Sequence, residues 1–197
     1  MTHVSLEVSP VGNYRRSMQG DRTLTTMIPA WVDGVLQPVE KLHAHLVGLR
    51  HKAVSVFVMC DDAILLQRRA LGKYHTPDLW ANTCCTHPNW QEDPATCATR
   101  RLTQEMGISG LDLVHRGVIE YRADVGGDMI EHEVVDLFTA QASRDLPMAL
   151  NPDEVSEVAW VPIAELHQQV AADPSRFTPW LRIYLAEHAG RIFDTPE

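Results

Sequence analysis

No run of apolar residues in this chain approaches the roughly 20 that a helix needs to cross a bilayer. Arg15 and Arg16 are followed by no apolar stretch that would read as a secretory signal. Cations are scarce as well: 17 Lys and Arg stand against 26 Asp and Glu, a net charge of −9. That balance argues against nucleic acid or an anionic membrane as the main partner. It leaves room for a small anion wherever cations gather locally. The chain has no internal repeat, no low-complexity tract and only four cysteines, Cys60, Cys84, Cys85 and Cys97. With 197 residues and 45% hydrophobic content it can build a core without staples. Cys84 and Cys85 are adjacent and poorly placed to bridge each other. The cysteines therefore read as the reduced thiols of a cytoplasmic protein.

What is present reads as one domain. Residues 1–28 mix Ser, Thr, Gly and Arg with scattered apolar residues, which suggests a poorly ordered extension; Met27 near its end offers an alternative start. Residues 29–190 carry the patterned segments, and 191–197 read as a tail. Trp31–Gln37 reads as a short strand with an Asp33-Gly34 turn. Val54–Cys60 and Ala63–Gln67 read as a central hairpin around Asp61-Asp62, and Leu79–Cys85 as a strand broken at Asn82. Asp93-Pro94 opens a helix and Gly107 stops it, with Ala95, Ala98, Leu102 and Met106 on one stripe. Strands over Val114–Arg122 and Ile130–Ala140 flank a Gly126-Gly127-Asp128 turn. A strand at Val155–Val161 and helices over Pro162–Ala172 and Pro174–His188 close the chain. The order predicts an α/β or α+β domain with a mixed β-sheet.

Four constellations carry chemistry. Imidazoles and carboxylates at His45, His51, His87, Glu131 and Glu133 suit a divalent transition metal or Zn2+ in a near-octahedral site. Glu131 and Glu133 are two apart on a predicted strand and share a face; His132 between them points the other way. Sequence alone does not bring the three histidines to them. Taken singly, each histidine reads equally as a surface or satisfied core residue, the fate assigned to His43, His75 and His132. Cys85, two residues from His87, is a thiol that a neighbouring cation would activate as a thiolate, or else a small buried hydrophobe. A zinc site from Cys84, Cys85 and His87 fits the usual ligand spacing poorly. The spacing of Glu92, Arg100, Glu105, Gly107 and Ile108 matches a Nudix box, with Thr86 where the box begins with Gly. Two of its three core carboxylates are replaced, leaving Glu105 to hold one Mg2+ on a diphosphate. Arg68, Arg69 and Lys73, with Lys41 and Arg101 elsewhere, are cations of the kind that bind phosphate in an otherwise acidic protein, or else a solvated loop face.

Together these pieces resemble type I isopentenyl-diphosphate isomerase. The phrases that carry the resemblance are Glu40-Lys41 with His45 and His51, RRALGKYHTPDLWANTCCTHP (68–88), Glu105-Met106-Gly107, Glu120-Tyr121-Arg122, IEHEV (130–134) and FTPW (177–180). The resemblance spans about residues 28–188 and implies a Nudix-type fold, its mixed sheet sandwiched between helices. It implies reversible interconversion of isopentenyl and dimethylallyl diphosphate, with Cys85 as catalytic thiol and Glu133 as catalytic carboxylate. It places Tyr121 beside that carboxylate and Trp180 against the reacting carbons. It implies one Mn2+, Mg2+ or Zn2+ held by His45, His51, His87, Glu131 and Glu133. A second ion, Mg2+ on the diphosphate, is implied at Glu105 with the Cys85 backbone. Lys41, Arg69, Lys73 and Arg101 are the implied substrate-binding cations. No nucleic acid or membrane partner is implied, and a monomer is expected.

The chemistry demands a proton donor on one face of an alkene and an acceptor on the other. Glu133 is the expected donor and a Cys85 thiolate the expected acceptor, with roles exchanged in the return direction. Two alternatives come from other classes: a Nudix hydrolase of a nucleoside diphosphate derivative, and a catalytically silent metal- or prenyl-diphosphate-binding protein.

Overall fold

The computed structural model describes residues 26–193. The chain enters through a hairpin, β1 (Met27–Val32) and β2 (Val35–Glu40). Asp33 and Gly34 both take positive φ (51° and 78°), the backbone of a tight hairpin turn. The expected Asp33-Gly34 turn is present, and it joins two paired strands longer than the short segment expected over 31–37. Glu40 then caps a short helix, α1 (Lys41–Leu46), accepting hydrogen bonds from the N–H groups of Leu42 and His43. No apolar period announces this helix in the sequence.

β3 (Arg50–Cys60) and β4 (Ala63–Arg69) form the expected central hairpin. β5 (Trp80–Ala81) and β6 (Cys84–Thr86) are separated by Asn82 and Thr83, both fully buried. The Asn82 amide donates to the carbonyls of Val56 and Cys84, each at 3.0 Å. The Thr83 hydroxyl donates to the Leu65 carbonyl at 2.6 Å and accepts from the Val58 N–H at 2.8 Å. These side chains occupy backbone groups that a continuous strand would have paired, which is why the predicted strand over 79–85 breaks there.

Helix α2 (Pro94–Met106) starts as the sequence predicts, with the Asp93 carboxylate accepting from the N–H groups of Ala95 and Thr96. It ends on Gly107 in the left-handed region (φ 67°), where a Cβ would lie 2.7 Å from Ala149. β7 (Val114–Gly126), β8 (Met129–Gln141) and β9 (Val155–Pro162) follow, then α3 (Ile163–Ala172). The helix predicted over 174–188 is interrupted. A single 3-10 turn, Pro174–Arg176, gives way to extended backbone at Phe177, which bridges to Trp80. Only then do α4 (Pro179–Glu187) and α5 (Ala189–Phe193) form.

β3 is the hub. It runs parallel to β8 and antiparallel to β1, β4 and β6; β8 pairs antiparallel with β7, and β4 with β5 and β9. Both faces of β3 are buried from Ala53 to Met59, which accounts for its unbroken apolar run. Val54, Val56 and Val58 face a core with Cys84 and, from α2, Ala98, Leu102 and Met106. Ala53 and Phe57 face a second core with Leu137 and, from α4, Trp180 and Tyr184. The sheet is thus mixed and covered by helices on both sides. β1 takes in Met27 and Ile28, and α5 takes in Arg191–Phe193, so the folded unit passes both ends of the 29–190 span. The rest of the expected extension and tail (1–25 and 194–197) lies outside the described residues. Among the described residues no helix is long and apolar enough to cross a membrane.

Candidate active site

Strand register assembles the first half of the site. His51 on β3, Glu133 on β8 and Tyr121 on β7 are partners in one row across the sheet. Glu131, two residues before Glu133, shares its face, whereas His132 turns away to Glu120 on the other side. The Tyr121 hydroxyl lies 2.7 Å from a carboxylate oxygen of both Glu131 and Glu133. α1 contributes Lys41 and His45, one helical turn apart on its inward face. His87, just past β6, brings Nε2 to 2.9 Å from Glu133.

The donor chemistry decides what this cluster can hold. The Nδ1 atoms of His45 and His51 each lie 2.7 Å from a backbone carbonyl, those of Lys41 and Leu49. A carbonyl only accepts, so both Nδ1 atoms carry the proton and both Nε2 atoms present lone pairs. Those Nε2 atoms are buried and have no hydrogen-bond partner. Burial, with His51 and Lys41 nearby, drives the His45 pKa down to about 3. Burial likewise holds His87 far below the ordinary histidine value. Neutral imidazoles with unspent lone pairs are metal ligands in waiting. Donor atoms of His45, His51, His87 and Glu133 all lie within 4.8 Å of one another. This buried group can hold a metal ion.

The two glutamates are not equivalent. Burial and the adjacent Glu133 charge push Glu131 well above the ordinary carboxyl range. Burial acts on Glu133 in the same direction, but the His51 and His87 rings outweigh it and hold Glu133 well below that range. The same burial thus meets opposite neighbours at the two groups, and their proton affinities are pushed apart, Glu131 upward and Glu133 downward. A phenol has one hydrogen, so Tyr121 can bridge a neutral and an ionised carboxyl group at once.

Cys85 faces the same cleft. It pairs with Ser55 across β6 and β3, and the Ser55 hydroxyl lies 2.7 Å from the thiol and 2.8 Å from the Tyr184 hydroxyl. Burial, then the Glu133 charge, pushes the Cys85 thiol well up. That direction favours the thiol over the thiolate. Alternation along β6 sends Cys84 to the opposite face, into the core under α2, so Cys84, Cys85 and His87 do not converge. All four cysteines are free thiols.

The far end of the cleft is cationic. Lys41, Arg69, Lys73 and Arg101 line it with Glu105 and Glu154. Lys73 binds Glu154 at 2.5 Å, and Arg101 binds Glu105 at 2.6 Å and Glu154 at 3.0 Å. Glu154 is pulled down to about 2, burial being outweighed by Lys73 and Arg101. Burial, followed by the charges of Lys73, Arg101 and Arg69, lowers Lys41 to about 8. The Arg69 guanidinium donates to the carbonyls of His75 and Thr76 and sits 5.2 Å over the Trp180 ring. Empty space in the cleft, its open mouth included, is about 470 Å³.

Of the site residues expected from sequence, Lys41, Arg69, Lys73, Cys85, His87, Arg101, Glu105, Glu131, Glu133 and Trp180 line this cleft, His45 and His51 join its buried imidazole–carboxylate group, and Tyr121 is hydrogen-bonded to Glu131 and Glu133. Arg68 does not join them; it pairs outside with Asp78 and Glu157. His43 is exposed and His132 half-buried, as expected. His75 is a correction: its ring is buried in the cleft, 3.7 Å from Glu131. The sequence reading also misses Ser55, Gln67, Glu154 and Tyr184. Only Ser55 leaves a trace, as a lone polar residue within the apolar run of β3.

A NUDIX domain model matches residues 49–181. An isopentenyl-diphosphate Delta-isomerase from Dinoroseobacter shibae is 66% identical over 169 residues, covering 86% of this chain and 96% of that one. Another from Cereibacter sphaeroides is 64% identical over 167 residues, covering 85% and 94%. The chain belongs to the isopentenyl-diphosphate Delta-isomerases of the NUDIX family. A MutT NUDIX hydrolase from Burkholderia pseudomallei superposes with a TM-score of 0.55 at 21% identity, over 71% of this chain and 98% of that one. That likeness concerns the fold alone. Against this NUDIX background the remnant box is informative. Glu92 and Arg100 form a two-pronged ion pair (2.6 and 2.7 Å) that ties the loop before α2 to the helix. Glu105, the retained carboxylate, is already engaged by Arg101 and by Gln67 at 3.3 Å. In this isomerase the box serves architecture and the cationic end of the cleft, which weakens the hydrolase alternative.

Proposed function

We infer that the chain catalyses the reversible 1,3-allylic rearrangement of isopentenyl diphosphate to dimethylallyl diphosphate, with Cys85 and Glu133 as its proton-transfer pair. One observation carries this reading: the half-buried thiol of Cys85 and the buried carboxyl group of Glu133 line the same cleft, together with Trp180. An allylic shift requires that combination. One group gives a proton to the alkene, the other removes one from the neighbouring carbon, and the return reaction exchanges their roles. Tyr121, hydrogen-bonded to Glu131 and Glu133, orients the carboxylate and offers it a route for its proton. The Trp180 face would stabilise developing positive charge by roughly 0.5–2 kcal/mol, while its burial keeps water from capturing the cation.

His45, His51, His87, Glu131 and Glu133 would hold the divalent ion, Mn2+, Mg2+ or Zn2+, whose positive charge would lower the proton affinity of the Glu133 carboxyl group. Lys41, Arg69, Lys73 and Arg101 grip the diphosphate, with Glu105 and the Cys85 backbone as the seat for a bridging Mg2+. Anchored there, a five-carbon tail has one place to lie, against the thiol and Glu133. We take the acting unit to be a monomer. Its free thiols suit the reducing cytoplasm, where it would supply isoprenoid precursors.

Incubation with isopentenyl diphosphate in heavy water tests the reading. Deuterium should enter the recovered five-carbon diphosphates, with no phosphate released. Phosphate release without deuterium uptake would instead support a hydrolase.

A further inference from the structure

On sequence alone His75 reads as a bystander. In the fold its ring is 6% exposed, lies 5.6 Å from the His45 ring at an interplanar angle of 24°, and meets the edge of Trp180. Its Nδ1 is 3.0 Å from the Thr76 hydroxyl. That leaves Nε2, which lies 3.7 Å from Glu131 Oε1. The separation is too long for a hydrogen bond. It equals the distance between His51 Nε2 and Glu133 Oε1. Donors around an ion with bonds of about 2.1 Å lie about 3 Å apart when adjacent and about 4.2 Å apart when opposite. Both pairs fall inside that interval.

The donor atoms of His45, His75 and Glu131 lie within 4.8 Å of one another, as do those of His45, His51, His87 and Glu133. The two groups share His45. Since His45 Nδ1 is committed to the Lys41 carbonyl, only Nε2 remains for both. One lone pair cannot serve two ions, so the groups are two halves of one sphere.

We propose that His75 is a sixth donor to the divalent ion of this cleft, completing a set of four imidazoles and two carboxylates. The proposal rests on the reading of His45, His51, His87, Glu131 and Glu133 as the other five. Six protein donors suit an octahedral ion better than a tetrahedral one. A filled sphere keeps water and the diphosphate off this ion, so its task is to hold the Glu133 carboxylate. His75 also sits on the loop between β4 and β5 that carries Lys73 and ends near Arg69. Its ligation would tie the cationic end of the cleft to the metal.

The full chain, stripped by chelation and titrated with Mn2+ alone, provides the test. Pulsed EPR of the wild-type complex should show four coupled imidazole nitrogens. His75→Ala and the bulkier His75→Gln should each show three and bind Mn2+ at least tenfold more weakly, the lower limit for groups that merely support a ligand. Three nitrogens in the wild type overturn the proposal whether or not the variants fold, as does unchanged affinity in both variants. His45→Ala separates the layers. If it loses Mn2+ while the His75 variants keep it, only the sixth donor is wrong; if it too binds normally, the metal site itself is misread.

Discussion

The two ends of the cleft answer burial in opposite ways. At the cationic end most charges already have a protein partner: Lys73 and Arg101 share Glu154, Arg101 and Gln67 hold Glu105, and Arg69 donates to the His75 and Thr76 carbonyls. At the histidine end, lone pairs of His45 and His51 are buried with nothing to accept. The first arrangement is largely satisfied without a ligand, and the proposed diphosphate would compete with internal carboxylates for its cations. The second leaves donor atoms that an ion would satisfy. Loss of a donor should therefore register as lost metal and lost stability at one end, and as weakened substrate binding at the other.

The sharpest tests break the chemistry that lies between the ends. Cys85→Ala and Glu133→Gln should each lower turnover by about 10²–10⁴-fold or more with the circular dichroism spectrum unchanged; near-normal turnover in either ends the assignment. Next comes the contrast itself. Saturating Mn2+ at 100 times its dissociation constant should stabilise the wild type by about 2.7 kcal/mol. The melting temperature should rise accordingly, and much less in His45→Ala. Lys73→Ala should keep the metal-dependent shift and raise KM instead; a lost shift there would erase the distinction between the ends. Replacement of Trp180 is smaller in effect. Trp180→Phe should reduce kcat less than Trp180→Ala, within the roughly 0.5–2 kcal/mol of a cation–π contact, and equal losses would argue against that role.

The smallest effect concerns acid stability. Glu154 sits at about 2 when folded, against an ordinary 4.5. A depressed carboxyl pKa stabilises the fold above the ordinary value, and that contribution fades as pH falls from 4.5 toward 2. Urea melts should show the wild type losing stability more steeply than Glu154→Gln across that window, and parallel slopes would deny the coupling.

The residue pattern alone reveals the β3–β4 hairpin, α2 and the β7–β8 pair, because each has a strong period or a clear turn or cap. It misses α1, whose six residues are too few for a helical period and whose cap is an unusual glutamate. It runs α4 back to Pro174 because the Phe177 bridge to Trp80 is a long-range contact. Within the site, family resemblance finds the residues with fixed spacing. Ser55, Glu154 and Tyr184 escape because only the folded chain brings them to Cys85, Arg101 and Lys73. The resting protonation of Cys85 escapes for a related reason: it depends on burial, which spacing does not encode.

The β7–β8 turn works as a ruler. Gly126, Gly127 and Asp128 all take left-handed backbone (φ 83°, 62° and 59°), so the turn has a defined length. One residue added within β8 before Glu131 would present Ile130 and His132 to the cleft in place of the two glutamates, if the rest of the register held. The sheet could still form from such a chain, yet it would carry its carboxylates on the wrong side. Length variants here should thus yield folded proteins without a metal cluster, and genuine relatives should vary this hairpin in composition far more readily than in residue count.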